Sequence, residues 1–235
     1  VPKVLPGMLK SNELEIVAIS SRNLKTAQRW AAKLGIAKAY GTYEEMLADP
    51  EIECVYNPLP NHLHVPMSLL AAKYGKNVLC EKPLLLDLVE LEKVRTRARE
   101  NERAVVPIHN WKYAPIVRRA TELLCSGAIG HLREVEIETL RIRDCAVADP
   151  DHPNWRRDPA IAGGGILIDH GWHAIYLAFH WFGEGPIEVN ASLDRRDPKE
   201  VEDEATLNLA FPSGRANIFL PWKARARPNA LRLLG

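Results

Sequence analysis

The sequence predicts an α/β chain in two parts: a parallel sheet covered by helices on both faces, then an α+β part built on an open, mainly antiparallel sheet. Three observations predict it. Up to His109, short continuous apolar runs alternate with capped helical segments, the pattern of strands buried on both faces. Beyond Pro115 the strands become alternating and are joined by near-neighbour turns. The 235 residues are 46% hydrophobic and 26% charged, enough for a sizeable core and incompatible with wholesale disorder.

The elements follow in order. Val1, Val4, Leu5, Met8 and Leu9 mark one helical face, with Pro6 confining the helix to its later turn. Leu14–Ser20 (LEIVAIS) reads as a strand. Asn23 caps a helix running to Leu34, and Gly35 supplies the left-handed stop. Thr42 and Glu45 have capping-box spacing for a short helix ending at Asp49-Pro50. Ile52–Asn57 is a second strand, and a helix through Leu69, Leu70 and Tyr74 stops at Gly75. Asn77–Glu81 is a third strand, Asp87 caps the next helix, and Arg103–His109 is a fourth strand.

The second part opens near residues 108–114. Pro115 starts a helix to Cys125, broken by Gly127. Leu132–Arg143 is a long alternating strand, and Asp144 to Ala162 a loop rich in Asp, Pro and Arg. A long helix spans about Gly164 to Phe182. Ile187–Asp194 is a strand, and Glu204–Phe211 and Arg215–Trp222 form a hairpin around Pro212-Ser213-Gly214.

Composition narrows the function classes. A net charge of +1 with no basic block argues against a nucleic-acid or anionic-membrane surface. The longest apolar run, Ile161 to Phe182, carries Asp169, His170, His173 and His180, which makes it a poor membrane span. Cys54, Cys80, Cys125 and Cys145 lack C-x-x-C spacing and sit in apolar runs, so buried free thiols in a reducing cytoplasm are expected.

Chemistry concentrates in a few segments. The loop Pro58-Leu59-Pro60-Asn61-His62-Leu63-His64 follows a strand at its carboxyl end, where ligands of open α/β sheets bind. Glu81-Lys82-Pro83 also follows a strand, so Lys82 is either aimed into that crevice or a surface residue in a turn. Gly163, Gly164 and Gly165 allow close backbone approach before a buried helix. Asp169 and His173 stand at i, i+4 on that helix, with Tyr176 and His180 continuing the stripe. A buried Asp beside a His needs a partner or a task. A metal site from Asp169, His170 and His173 lacks the H-E-x-x-H arrangement, and no metal is expected.

Together the segments VAISSRN, YEEMLADPEIECVYNPLPNHLH, GKNVLCEKPL, NWKYAPIVRRATELLCSGAIGHLREV and NWRRDPAIAGGGILIDHGWH resemble the Gfo/Idh/MocA family of nicotinamide-dependent sugar and polyol dehydrogenases. The resemblance runs through nearly the whole chain. It implies a Rossmann-type dinucleotide-binding domain over 1–110 and an α+β substrate-binding and oligomerisation domain over 111–235. It implies Lys82, Asp169 and His173 as the catalytic trio, converging on one crevice between the domains. It further implies dinucleotide contacts from Pro60, Asn61, His64, Glu81 and Lys82, with Trp155 and Arg156 at the nicotinamide end. Relative to the family, the chain is expected to start just after the first strand and Gly-rich turn, the central strand of such a sheet, and to stop before its last strands. Weak dinucleotide binding and unpaired strand edges would follow from that.

On this resemblance the expected reaction is hydride transfer between a nicotinamide and a secondary alcohol or carbonyl of a sugar or polyol. His173 serves as general base, Lys82 polarises the oxygen, and Asp169 orients the imidazole or binds a second hydroxyl. Ser21 and Arg22 stand where an NAD-preferring domain carries an acidic residue, so NADP is favoured over NAD. A nicotinamide-dependent glycoside hydrolase and a non-catalytic sugar- or nucleotide-sensing protein remain as alternatives. A cytoplasmic homo-oligomer, assembled through the sheet of the second domain, completes the expectation.

Overall fold

The computed structural model describes residues 4–142, 154–225 and 228–235. Backbone contacts divide them into two units: residues up to Leu59 with Leu63–Pro107, and Pro60–His62 with Ile108–Gly235.

In the first unit, helix α1 (Leu5–Met8) precedes strand β1 (Ala18–Ser20), which pairs in parallel with β2 (Lys38–Tyr40). Leu14–Ser20 thus contributes only its last residues to the ladder, because its partner β2 is itself three residues long. A strand that short carries no legible period, and β2 is absent from the sequence reading. Between them α2 (Leu24–Leu34) has the expected ends: Asn23 Oδ1 accepts from the Lys25 and Thr26 amides, and Gly35 sits at φ 69°. Thr42 Oγ1 accepts from the Glu45 amide and opens α3 (Tyr43–Ala48). The second ladder, β3 (Cys54–Asn57), β4 (Asn77–Cys80) and β5 (Val105–Pro107), is parallel throughout, with β4 central. Helices α4 (His64–Lys73) and α5 (Leu88–Glu100, capped by Asp87) complete the alternation. The two ladders are separate sheets, and Val17 and Ala18 pack on the core of Ile52, Val55 and Val78.

Asp49 closes α3 and anchors this unit electrostatically. Its carboxylate accepts from Lys38 Nζ and Tyr40 Oη, each at 2.7 Å. The hydrogen bond from Lys38, then that from Tyr40, holds the carboxyl down at about 2. A carboxylate depressed in the fold stabilises it above the ordinary Asp range near ~4, and that contribution is lost as pH falls toward the folded value. Acid unfolding followed by circular dichroism should therefore show wild-type stability dropping between about pH 4 and 2 more steeply than Asp49→Asn does. Parallel acid profiles would show that the pair contributes nothing to the acid response.

In the second unit, α6 (Pro115–Cys125) leads to a five-stranded sheet in the order β10 (Asn229–Leu234), β6 (Glu134–Thr139), β9 (Gly214–Pro221), β8 (Glu204–Phe211), β7 (Glu188–Asp194). The sheet is mainly antiparallel, with β6 and β9 running parallel, a pairing and a terminal strand β10 that the sequence left unread. The hairpin turns at Pro212-Ser213, with Phe211 opposite Gly214. The expected strand to Arg143 ends instead at Thr139. The Leu140 and Arg141 amides turn to the carbonyls of Pro228 and Pro221, and Arg143 lies outside the described residues. One sheet face presents Ala205, Leu207, Leu209, Ile218 and Leu220, which cluster with the buried residues Ile166 and Leu177.

That helical segment is not regular. A short helix α7 (Pro159–Ala162), inside the expected loop, precedes it; Leu167–Gly171 then forms a wide π turn that passes into α8 (Trp172–Phe182), ended by Gly183 at φ 71°. Its start is fixed by Glu202: the Ile166 amide donates to the Glu202 carbonyl at 3.1 Å, and the Leu167 amide to its carboxylate at 3.1 Å. Gly165 lies against the Glu202 backbone so closely that a Cβ would overlap the carbonyl oxygen. Gly165→Ala is expected to lower stability by about 3 kcal/mol or more, because backbone must move on both sides. A denaturation midpoint unchanged from wild type would contradict this.

The cysteine expectation needs correction. Cys54 and Cys125 are exposed, at the first residue of β3 and the last of α6, where the chain leaves the core. Cys80 is buried, and desolvation pushes its thiol up to about 12. Cys145 lies outside the described residues. Among the described residues no helix is long and apolar enough to cross a membrane.

Candidate functional site

The first unit presents polar residues at the carboxyl ends of β1, β3 and β4. After β1, the Ser20 hydroxyl donates to the Thr42 carbonyl at 2.8 Å, while Ser21 Oγ accepts from the Asn23 amide and Arg22 stands exposed. After β4, the Glu81 amide donates to the Asn57 carbonyl at 3.0 Å, extending the ladder by one residue. The Glu81 carboxylate accepts from the Tyr56 hydroxyl at 2.8 Å and from the Lys82 amide at 3.3 Å. Burial first, then the bond to Glu81, pushes the Tyr56 phenol above its ordinary range. Lys82 is half-buried and joined to Pro83 by a cis peptide bond.

His64 links the loops that follow β3 and β4. It is 1% exposed, with Nδ1 at 2.6 Å from the Pro83 carbonyl and Nε2 at 2.6 Å from that of Leu59. Asn57 Nδ2 donates to the His64 carbonyl at 3.1 Å from the end of β3. The ring's own nitrogens are thus directed at backbone, and the residue shapes the loop that carries Pro60 and Asn61. Residues Pro60–His62 group with the second unit, where Asn61 Nδ2 donates to the Ala162 carbonyl at 2.8 Å.

The second unit gathers the remaining candidates. Asn154 Oδ1 accepts from the Arg156 amide and opens a tight turn over Trp155–Arg157. The Arg156 guanidinium lies over the Trp155 ring at 4.4 Å, with Nε 3.7 Å from Asp169 Oδ1. Arg157 pairs with Asp203, whose Oδ1 lies 3.1 Å from both of its terminal nitrogens. Asp169 sits in the π turn, with Oδ2 3.1 Å from Nδ1 of His170. His173, 8% exposed, stacks on Trp111 with ring centres 4.4 Å apart and planes at 3°. A parallel stack follows, His109 on Tyr176 at 4.1 Å and Tyr176 toward His180 at 6.1 Å, and burial lowers the His109 imidazole.

The structure therefore brings Trp155, Arg156 and Asp169 together and buries His173 one turn further on. Glu81 and Lys82 follow β4, and Ser21 and Arg22 follow β1. Sequence reasoning missed Tyr56, Trp111 and Arg141, which act through partners distant in sequence; it weighed His170 only as a metal ligand. Among the described residues no group of His, Cys, Asp and Glu is arranged to hold a metal ion.

Comparison with known proteins bears on both units. Residues 2–109 match the family described as "Oxidoreductase family, NAD-binding Rossmann fold", and residues 117–235 match the "GFO/IDH/MocA C-terminal domain". The chain is 39% identical over 220 residues to "Uncharacterized oxidoreductase ORF334" of Rhizobium meliloti, covering 92% of this chain and 62% of that protein. It is 32% identical over 207 residues to "Trans-1,2-dihydrobenzene-1,2-diol dehydrogenase" of Bos taurus, covering 88% of this chain and 59% of that one. Among solved structures, "Levoglucosan dehydrogenase, complex with NADH and levoglucosan" superposes with a TM-score of 0.84 at 26% identity, covering 99% of this chain and 66% of that one. The chain thus spans less than two thirds of the length of each of these proteins.

Proposed function

The chain belongs to the Gfo/Idh/MocA family of oxidoreductases, and from that membership we propose that it catalyses reversible hydride transfer between a nicotinamide dinucleotide and a secondary alcohol of a sugar or polyol. The observation that carries the reading is Asp169, held beside Arg156 and Trp155 at the turn that opens α8, with His173 buried one turn on. A carboxylate, a guanidinium on an indole face and an imidazole suit recognition and deprotonation of hydroxyl groups.

The donor set fits the dinucleotide. Ser21 and Arg22 offer a hydroxyl and an exposed guanidinium at the carboxyl end of a parallel strand, suited to a ribose and its phosphate. Glu81 and Lys82 offer a carboxylate and an ammonium at the end of another, with Glu81 fixed by Tyr56. Pro60 and Asn61 add a loop shaped by His64, and Trp155 and Arg156 would meet the nicotinamide end. Bound there, a nicotinamide supplies the hydride acceptor or donor.

The protein's own groups do the rest. His173 takes the hydroxyl proton during oxidation and returns it during reduction. Lys82 stabilises the developing alkoxide with its charge. Asp169 holds a neighbouring hydroxyl of the substrate or orients the imidazole. We assign dinucleotide binding to residues 1–110 and substrate binding to 111–235, in a cytoplasmic homo-oligomer assembled through the second sheet.

A panel of polyols and aldoses assayed at the nicotinamide absorbance tests the reaction. Turnover with a secondary alcohol supports it. Release of free sugar with no net absorbance change would replace it by glycoside cleavage, and binding without turnover by a sensing role.

The same assay tests cofactor choice. NADP is expected to outperform NAD, because a guanidinium pairs with a 2′-phosphate through charge-assisted hydrogen bonds. Arg22→Ala should raise KM for NADP about tenfold or more, the loss expected of one such contact, and leave NAD nearly unchanged. Equal efficiency with both dinucleotides in both proteins would reject the preference.

A further inference from the structure

We propose that Tyr56 is a positioning residue for the dinucleotide: its hydroxyl fixes the Glu81 carboxylate so that the carboxylate's other acceptor directions meet the hydroxyls of a ribose. The proposal rests on the reading of Glu81 as a dinucleotide contact given above, and names the residue that makes that contact directional.

The sheet register brings the two side chains together. In the parallel pair of β3 and β4, Val55 stands level with Val78 and Tyr56 with Leu79. Val55 and Val78 face the core of this unit, so Tyr56 and Leu79, next along each strand, face the other way. Glu81 lies two residues beyond Leu79. Its amide continues the ladder to the Asn57 carbonyl at 3.0 Å, so the strand's alternation still holds there and Glu81 shares the face of Tyr56. The phenol spans the diagonal and donates to Glu81 Oε1 at 2.8 Å. The other oxygen, Oε2, accepts from the Lys82 amide at 3.3 Å. One donor is thus backbone and the other stands on a paired strand.

The phenol is a dependable donor. Burial first, then the bond to Glu81, pushes its ionisation above the ordinary range near ~10, so it keeps its proton wherever a dehydrogenase works. A carboxylate has two oxygens and about four acceptor positions. Tyr56 takes one on Oε1 and the Lys82 amide one on Oε2, and no other donor among the described residues reaches either oxygen. Each of two adjacent oxygens therefore keeps an acceptor direction, which matches two hydroxyls on neighbouring carbons. A carboxylate repels phosphate, so the part of a dinucleotide that suits it is a ribose diol. Without the phenol, the flexible Glu81 side chain would lose rotamer freedom only on binding, and affinity would fall by that cost.

Fluorescence titration with NADPH and with NADH, in the absence of alcohol, tests this. Tyr56→Phe deletes one oxygen and keeps the ring. It should raise Kd about threefold to tenfold, the worth of one hydrogen bond, and equally for the two dinucleotides, in contrast to Arg22→Ala. The effect should fall on Kd more than on kcat at saturating dinucleotide. Glu81→Ala should weaken binding at least as much, and Tyr56→Phe should add nothing further in that background, because its effect passes through the carboxylate.

Wild-type Kd in Tyr56→Phe, with or without a lower denaturation midpoint, would overturn the proposal and leave the phenol a structural group. Additive losses in the double mutant would overturn it as well. So would a loss confined to NADPH, which would place the phenol at the 2′-phosphate, or a change confined to KM for the alcohol, which would turn Glu81 toward a substrate diol. Wild-type Kd in Glu81→Ala would instead overturn the reading of Glu81 as a dinucleotide contact.

Discussion

Lys82→Met is expected to lower turnover by about a hundredfold or more, the range for removing one electrostatic contact to a developing oxyanion. Dinucleotide affinity should fall by less than turnover, because Lys82 is one of several dinucleotide contacts assigned above while the developing charge sits at the reacting oxygen. The backbone around Lys82 is fixed independently of its side chain. Strand β4 is paired on both edges, the Glu81 amide continues the ladder to Asn57, and Pro83 is buried next to the His64 ring. Methionine matches the apolar stem and deletes only the ammonium, so loss of fold does not confound the result. Fluorescence titration with the dinucleotide, run beside the turnover assay, separates binding from chemistry. A variant that binds the dinucleotide and turns over at nearly the wild-type rate would remove Lys82 from the mechanism.

How much was legible in the sequence depends on the range over which each feature is encoded. Asn23, Thr42, Asp87 and Gly35 act on neighbours within a few residues, so the limits of α2, α3 and α5 could be read from residue type alone. Strand limits are less local. Leu14–Ser20 is apolar throughout, yet only Ala18–Ser20 is paired, because ladder length depends on the three residues of β2. The parallel pairing of β6 with β9 joins segments far apart in the chain, and no local pattern announces it.

The candidate site divides the same way. Glu81-Lys82 and Asp169…His173 stand out because charged or titratable residues interrupt apolar runs. Their supports do not. Tyr56 reads as one more β-former in CVYN, and only the register of β3 with β4 brings its hydroxyl near Glu81. Trp111 and Arg141 reach His173 and His170 across many residues of sequence. The spacing of Asp169 and His173 suggested a regular helix, whereas the chain inserts a π turn there. The tight fit of Gly165 against Glu202 and the capping of Leu167 by the Glu202 carboxylate fix where that helical segment begins. Glu202 itself carried no signal, being one acidic residue among several in a polar stretch.

His173→Ala is expected to cost between about 10² and 10⁴ in turnover, the usual worth of a positioned general base. The side chain is well placed for that role. It is 8% exposed, and the parallel stack on Trp111 limits the ring to motion in its own plane. A fixed plane aims both nitrogens along two set directions, which is what proton transfer from a bound hydroxyl requires. Loss of the ring should also flatten the acidic limb of the pH–rate profile for alcohol oxidation, because no imidazole is left to be deprotonated before it accepts the proton. Reduction of the matching ketone should lose its alkaline limb for the converse reason. His173→Ala leaves a cavity beside Trp111, so His173→Gln, which keeps bulk and hydrogen bonding but cannot act as a base, is the companion variant. Both should show the flattened profile. If His173→Gln folds, binds the dinucleotide and keeps a wild-type acidic limb, the proton is taken by another group, and the assignment of His173 as the base fails.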